Sequence, residues 1–236
     1  MITWPGAVAI AGGLLPALAA VRARVSLTRD PAGHSALGWL AMAGCSALYP
    51  VSRSLGLGGS FRFALTALTI IAMPLVLAPP VLTWAGPAAK RWQRHILGGW
   101  MASSGATLAL LEPGRHFQVI AHPAMCVLMS VLLLLALRTQ MERHGAEHGV
   151  TEPLRTGWLW LIGGHLAYFL SSIFWFPMLE TLALRGMQLA ADAMTGQILL
   201  QAGAMTAIAH GVVRSGAATR ATAGAVAPSP VASSVV

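Results

Sequence analysis

Seven apolar stretches recur along the chain, and the basic residues between them fall on alternating connections with a strong bias. A helix needs about 20 apolar residues to cross the hydrocarbon core of a bilayer. The stretches run over 3–21, 35–53, 61–84, 95–111, 117–137, 156–177 and 187–213. Cutting the chain there leaves Arg22, Arg24, Arg29, Lys90, Arg91, Arg94, Arg138, Arg143, Arg155, Arg214 and Arg220 on one side. Only Arg53, Arg62, Arg115 and Arg185 remain on the other, four against eleven. Short loops rich in Lys and Arg stay cytoplasmic. The sequence therefore predicts an all-α, polytopic integral membrane protein of seven transmembrane helices, with its N-terminus out and its C-terminus in.

Composition agrees, since 56% apolar and 9% charged residues lie outside the range of soluble domains. The formal charge of +8 does not read as a nucleic-acid surface, because each basic residue flanks an apolar run without a contiguous patch or interleaved aromatics. The expected partners are the lipid bilayer, whose anionic headgroups these residues touch, and a cytoplasmic protein, with no nucleic acid. Cys45 and Cys126 fall inside apolar stretches, where free thiols act as small hydrophobes. No basic residue precedes the first stretch, whereas Arg22 and Arg24 follow it, so it reads as a retained helix and not a leader. Residues 1–214 are expected to form the membrane domain and 215–236, rich in Ala, Ser, Thr and Pro, a disordered tail. The excess of Arg over Lys and the many alanines fit a multi-pass protein of a bacterial inner membrane.

Several local features carry expectations of their own. The fourth stretch holds Gly98, Gly99, Ser103, Ser104 and Gly105, which suits a helix surrounded by other helices. Pro74, Pro79 and Pro80 should kink or unwind the third. The connection 139–156 reads as a solvated polar loop in which His144 and His148 could share a helical face and hold a metal, though no third ligand stands at fixed spacing. Gly38-Trp39-Leu40, Gly44 and Tyr49 match Gly157-Trp158-Leu159, Gly163 and Tyr168 at a constant offset of 119. A parallel repeat of three helices plus one plus three would explain that diagonal, and so would the small alphabet of membrane helices.

Ionisable and polar groups inside a membrane are costly and so mark candidate sites. Counted from the outer helix ends at about 1.5 Å per residue, Tyr49, Asp192, His122, Ser104 and Tyr168 share the outer third, with His165 deeper. An outward-facing ligand pocket built from His122, Asp192, Tyr49, Tyr168, Ser104 and His165 is one reading, and local pairing across helix contacts is the other. Pro123 biases the backbone of His122 away from the helical region, and Gly163 and Gly164 flank His165.

Most membrane chemistries lack their residues. His122 and His165 differ in depth by roughly 10 Å, too far to share one haem iron, which leaves His95 and His210 near the inner ends as a conceivable pair. A retinal Schiff base needs a lysine in the last helix, and the lone Lys90 lies in a loop. Ser104 has no histidine on an earlier helix to activate it. The cofactor, if any, is left unknown, and whether the chain is an enzyme stays open. Three functions remain: a regulator or sensor that binds a small or lipophilic signal and contacts a cytoplasmic partner, a carrier of two three-helix halves, or an enzyme on a lipid or isoprenoid with His122 and Asp192 as acid and base. The topology is tested by impermeant thiol labelling of single cysteines placed at each end: the N-terminal one should react from outside and the C-terminal one only after permeabilisation, and equal reactivity would overturn the seven-span reading.

Overall fold

A computed structural model describes residues 4–110, 115–148, 157–173 and 175–225, and every regular element among them is helical. In order these are α1 (Trp4–Arg22), α2 (Pro31–Ser54), α3 (Gly59–Trp84), α4 (Pro87–Arg91) and α5 (Gln93–Leu110), then α6 (Arg115–His148), α7 (Trp158–Ser172), α8 (Trp175–Arg185) and α9 (Met187–Ala225). Each expected stretch coincides with a helix, and α4 and α8 are additional short ones. By length and composition, three helices among the described residues can cross a membrane, within Gly59–Trp84, Phe117–Arg143 and Gln188–Ala221.

Six helices close a ring in which α1 packs on α2, α2 on α3, α3 on α6, α6 on α7, α7 on α9, and α9 back on α1. Small residues set the spacing, as expected where lipid gives no hydrophobic drive between helices. A methyl group on Gly164 would stand 2.8 Å from Ile208 and 3.0 Å from the Ala204 carbonyl, and one on Gly211 would stand 2.7 Å from the Leu161 backbone nitrogen. Gly157, at φ +83, admits the start of α7 against α9 with a conformation a side chain would strain. Between α2 and α3, Gly38 leaves only 2.7 Å from its notional methyl to Leu77.

Direct contacts gather the basic helix ends at one end of the bundle. Gln140 of α6 donates to the Trp84 carbonyl at the end of α3 at 2.6 Å. The Arg143 guanidinium reaches over Gly86. Arg220 of α9 donates to the Ala23 carbonyl just beyond α1 at 2.6 Å. We call this the basic end.

Four expectations change. The fourth stretch, α5, is not enclosed: it lies outside the ring against α3 and α6, burying only Trp100 and Ser104, while Gly98, Gly99 and Gly105 face open space. Of the kink or unwinding expected at its prolines, α3 shows no unwinding and stays helical throughout. The Trp100 indole donates to the Ile71 carbonyl at 3.0 Å, three residues before Pro74. Residues 139–148 are not loop but the last turns of α6, with an Arg138–Glu142 ion pair of 2.7 Å at helical spacing. The side chains of His144 and His148 lie outside the described residues, as do 149–156. The tail boundary also moves, since α9 runs on to Ala225, held by Gly216 against Ala23 and Val25 and by the Arg220 bond; 226–236 lie outside the described residues.

Gly211→Ala should destabilise the bundle by about 1–3 kcal/mol through the forced separation of α7 and α9. Gly105→Ala, with nothing nearby, should stay within about 0.5 kcal/mol. Thermal unfolding of both variants in the same detergent makes the comparison.

Candidate functional site

The ring is tied through its middle by one histidine. His165 sits two turns into α7 and is fully buried. Its Nδ1 lies 2.6 Å from the Leu161 carbonyl one turn earlier, a group that can only accept, so Nδ1 carries the hydrogen and donates. Nε2 is then the acceptor. It receives the Trp39 indole N–H at 3.0 Å and the Ser35 hydroxyl at 2.7 Å, both from α2. The imidazole is thereby neutral, in one tautomer, with every ring nitrogen satisfied.

Aromatic rings enclose this node. Trp39 meets Tyr168 edge-on at 4.7 Å and 70°, and Trp84 from the end of α3 meets His165 at 5.9 Å and 67°. One turn beyond Tyr168, the buried Ser172 hydroxyl donates to the Tyr168 carbonyl at 2.7 Å. It accepts the amides of Gln197 and Gln201 from α9 at 3.3 Å and 3.2 Å. Two polar nodes thus join α7, one to α2 and one to α9.

Between them lies a cavity of about 70 Å³, bounded by α1, α2, α7 and α9. Its walls include Gly12, Trp39, Met42, Tyr168, Gln201 and Met205, and no lining residue carries a formal charge. A water occupies about 30 Å³ of liquid and a dry cavity of about 150 Å³ takes benzene. The space is therefore large enough for a pair of waters or one end of a longer molecule. Methionine and aromatic walls adapt to apolar shapes, and the Gln201 amide and Tyr168 offer polar atoms for orientation.

Of the residues expected from sequence, His165 and Tyr168 come together, each against Trp39. The other four are placed elsewhere or not described. His122 is half-buried on α6, with the Cys126 sulfur 3.8 Å from Nε2 one turn along an unbroken helix. Asp192 is exposed on α9 and accepts from Gln188 of its own helix at 2.9 Å. Ser104 is buried on α5, outside the ring, and its hydroxyl has no hydrogen bond among the described residues. The Tyr49 side chain lies outside the described residues.

Sequence reasoning missed Ser35, Ser172 and Gln201, and used Trp39 only as one half of a repeat. The signal was present. Ser35 and Trp39 are one turn apart on α2, and counted from the basic end they match the depth of His165; counting only from the opposite end made His165 look isolated. Among the described residues, no group of three His, Cys, Asp or Glu stands close enough to hold a metal.

Fold and site together define an all-helical protein with membrane-compatible helices and a neutral, aromatic-walled cavity beside a buried imidazole. Neither the known family models, nor the curated proteins, nor the solved structures contain a match to this chain.

Ser35→Ala removes one of two donors to Nε2 and should cost about 1 kcal/mol. His165→Leu strands the Ser35 and Trp39 donors in an apolar site, so its cost should be larger, about 1–3 kcal/mol for each. Denaturant unfolding of the two variants and of the double variant should show clear non-additivity.

Proposed function

We propose that the protein is a seven-span regulator or sensor of a bacterial inner membrane, N-terminus out and C-terminus in, that binds a small or lipophilic signal between α1, α2, α7 and α9. The observation that carries this reading is the cavity itself, lined by Trp39, Tyr168 and Gln201 and backed by a histidine whose tautomer is already set. Such walls recognise an uncharged group, because burying an unpaired charge there would be heavily opposed. An output is also at hand. At about 1.5 Å per residue, α6 and α9 extend roughly 50 Å and 58 Å, well beyond a hydrocarbon core of about 30 Å. Their excess turns lie at the basic end and carry Arg138, Arg143, Arg214 and Arg220, a surface for a cytoplasmic partner. α9 both lines the cavity and clamps the Ala23 carbonyl through Arg220, which supports α9 as the element that would carry a signal from cavity to surface.

A carrier of two three-helix halves is the second reading, favoured by the ring. Its cyclic order α1, α2, α3, α6, α7, α9 sets α2 opposite α7, the two helices that share the diagonal of matched residues. Liposome uptake of a cavity-bound compound would select the carrier, and binding without uptake would select the regulator.

The cavity is tested by purifying the protein from its native membrane and identifying retained small molecules by mass spectrometry. Gly12→Leu projects a side chain toward Met205 across the cavity and should abolish retention of a neutral compound that the parent protein carries. Gly12→Ala, whose added methyl meets Met205 at an ordinary 3.6 Å, should keep the fold intact and weaken retention only in part. Equal retention by all three proteins would remove the cavity from the account.

A further inference from the structure

Away from the cavity, the connection from α3 to α5 forms a shallow, open hollow lined by Lys90, Arg91, Gln93, Arg94 and His95. Lys90, Arg91, Arg94 and His95 are all exposed. No carboxylate lines the hollow, and among the described residues no ion pair involves Lys90, Arg91 or Arg94. The acid described on the neighbouring end of α6, Glu142, is held by Arg138. Arg143 adds a further cation at the foot of the same turn, over Gly86.

The place of this hollow says what meets it. It follows directly on Trp84, the last residue of an apolar helix of 26 residues, long enough to cross a bilayer. It also leads into α5, the helix outside the ring, whose exposed Gly98, Met101 and Ala102 are covered by no other described helix. Trp92 projects from the centre of the charged run, 63% exposed despite its size, with its ring 5.5 Å from His95. An exposed indole flanked by cations at the end of an apolar helix is the arrangement that seats at the headgroup level.

We infer that the segment from Gly86 to His95 is a binding site for an anionic phospholipid, whose headgroup phosphate is held by Lys90, Arg91 and Arg94 while Trp92 lies at the level of the glycerol. The inference rests on α3 crossing the bilayer and is independent of what the cavity binds. Basic juxtamembrane groups attract anionic lipid through charge, and bidentate guanidinium contacts to phosphate give the site its geometry.

The test uses the full chain, delipidated in a neutral detergent and titrated with phosphatidylglycerol or phosphatidylethanolamine, with bound lipid counted by native mass spectrometry. The parent protein should prefer phosphatidylglycerol. The triple variant K90Q/R91Q/R94Q should lose about a hundredfold in that affinity, whereas R22Q/R24Q/R29Q, with equal charge removed at the same end but outside the segment, should lose clearly less. Loss of loop charge can invert membrane insertion, so the single variant R94Q is measured as well and should weaken binding about fivefold. Equal loss in both triple variants, an unchanged R94Q, or equal affinity for the two lipids would each overturn the site. Displacement of the lipid by millimolar inorganic phosphate would instead assign the hollow to a soluble anion and overturn the lipid.

Discussion

The acceptor nitrogen of His165 is the point on which the bundle's interior depends. A buried imidazole in an apolar ring must have both nitrogens satisfied, since an unmade hydrogen bond there costs about 1–3 kcal/mol. The Leu161 carbonyl fixes the donor, and that choice dictates that Nε2 faces two hydrogens from α2. The register of α2 against α7 follows, because Ser35 and Trp39 must both reach one atom. Trp39 in turn sets the wall of the cavity and the position of Tyr168. A polar tie of this kind specifies where helices stop sliding in a setting where apolar surfaces alone discriminate poorly.

Glycine supplies what the hydrogen bonds need. The approach of α7 to α9 at Gly157, Gly164 and Gly211 brings Ser172 within reach of Gln197 and Gln201. The approach of α2 to α3 at Gly38 brings the end of α3, with Trp84, against His165. Close backbone packing and the Ser172 node therefore occur on the same helix pair, α7 and α9, whereas the His165 node joins α7 to α2. The cavity survives beside them because α1 presents Gly12 toward Met205 at a distance that a side chain would partly close. Its chemistry is neutral because the polar groups beside it are neutral: His165 is paired with Ser35 and Trp39 of α2, and Ser172 with Gln197 and Gln201 of α9.

Much of the helical layout was legible in the sequence. Apolar length marked all seven longer helices among the described residues, and the alternating charge bias matches the gathering of basic ends that the Gln140, Arg143 and Arg220 contacts show. The ends of α6 and α9 were not legible, because the turns beyond an apolar stretch are held by tertiary contacts such as Arg220 to Ala23, which leave no hydropathic signal. The small residues of α5 were read as packing surface, yet its neighbours use only the Trp100 and Ser104 face. The site was legible only in part. Ionisability drew attention to His122 and Asp192, whereas the structure centres on a histidine whose partners are a serine and an indole, residues that carry no charge to mark them. Depth along the helix was the useful variable, and it had to be counted from both ends.

The most direct test is nitrogen-15 NMR of histidine-labelled protein in lipid nanodiscs, with His165 assigned by loss of its signals in His165→Gln. The expected result is a neutral ring carrying its hydrogen on Nδ1, with an unprotonated Nε2 whose shift changes when Trp39→Phe removes one donor. A hydrogen on Nε2, or an Nε2 signal indifferent to Trp39, would contradict the tie between α2 and α7 and the cavity built on it.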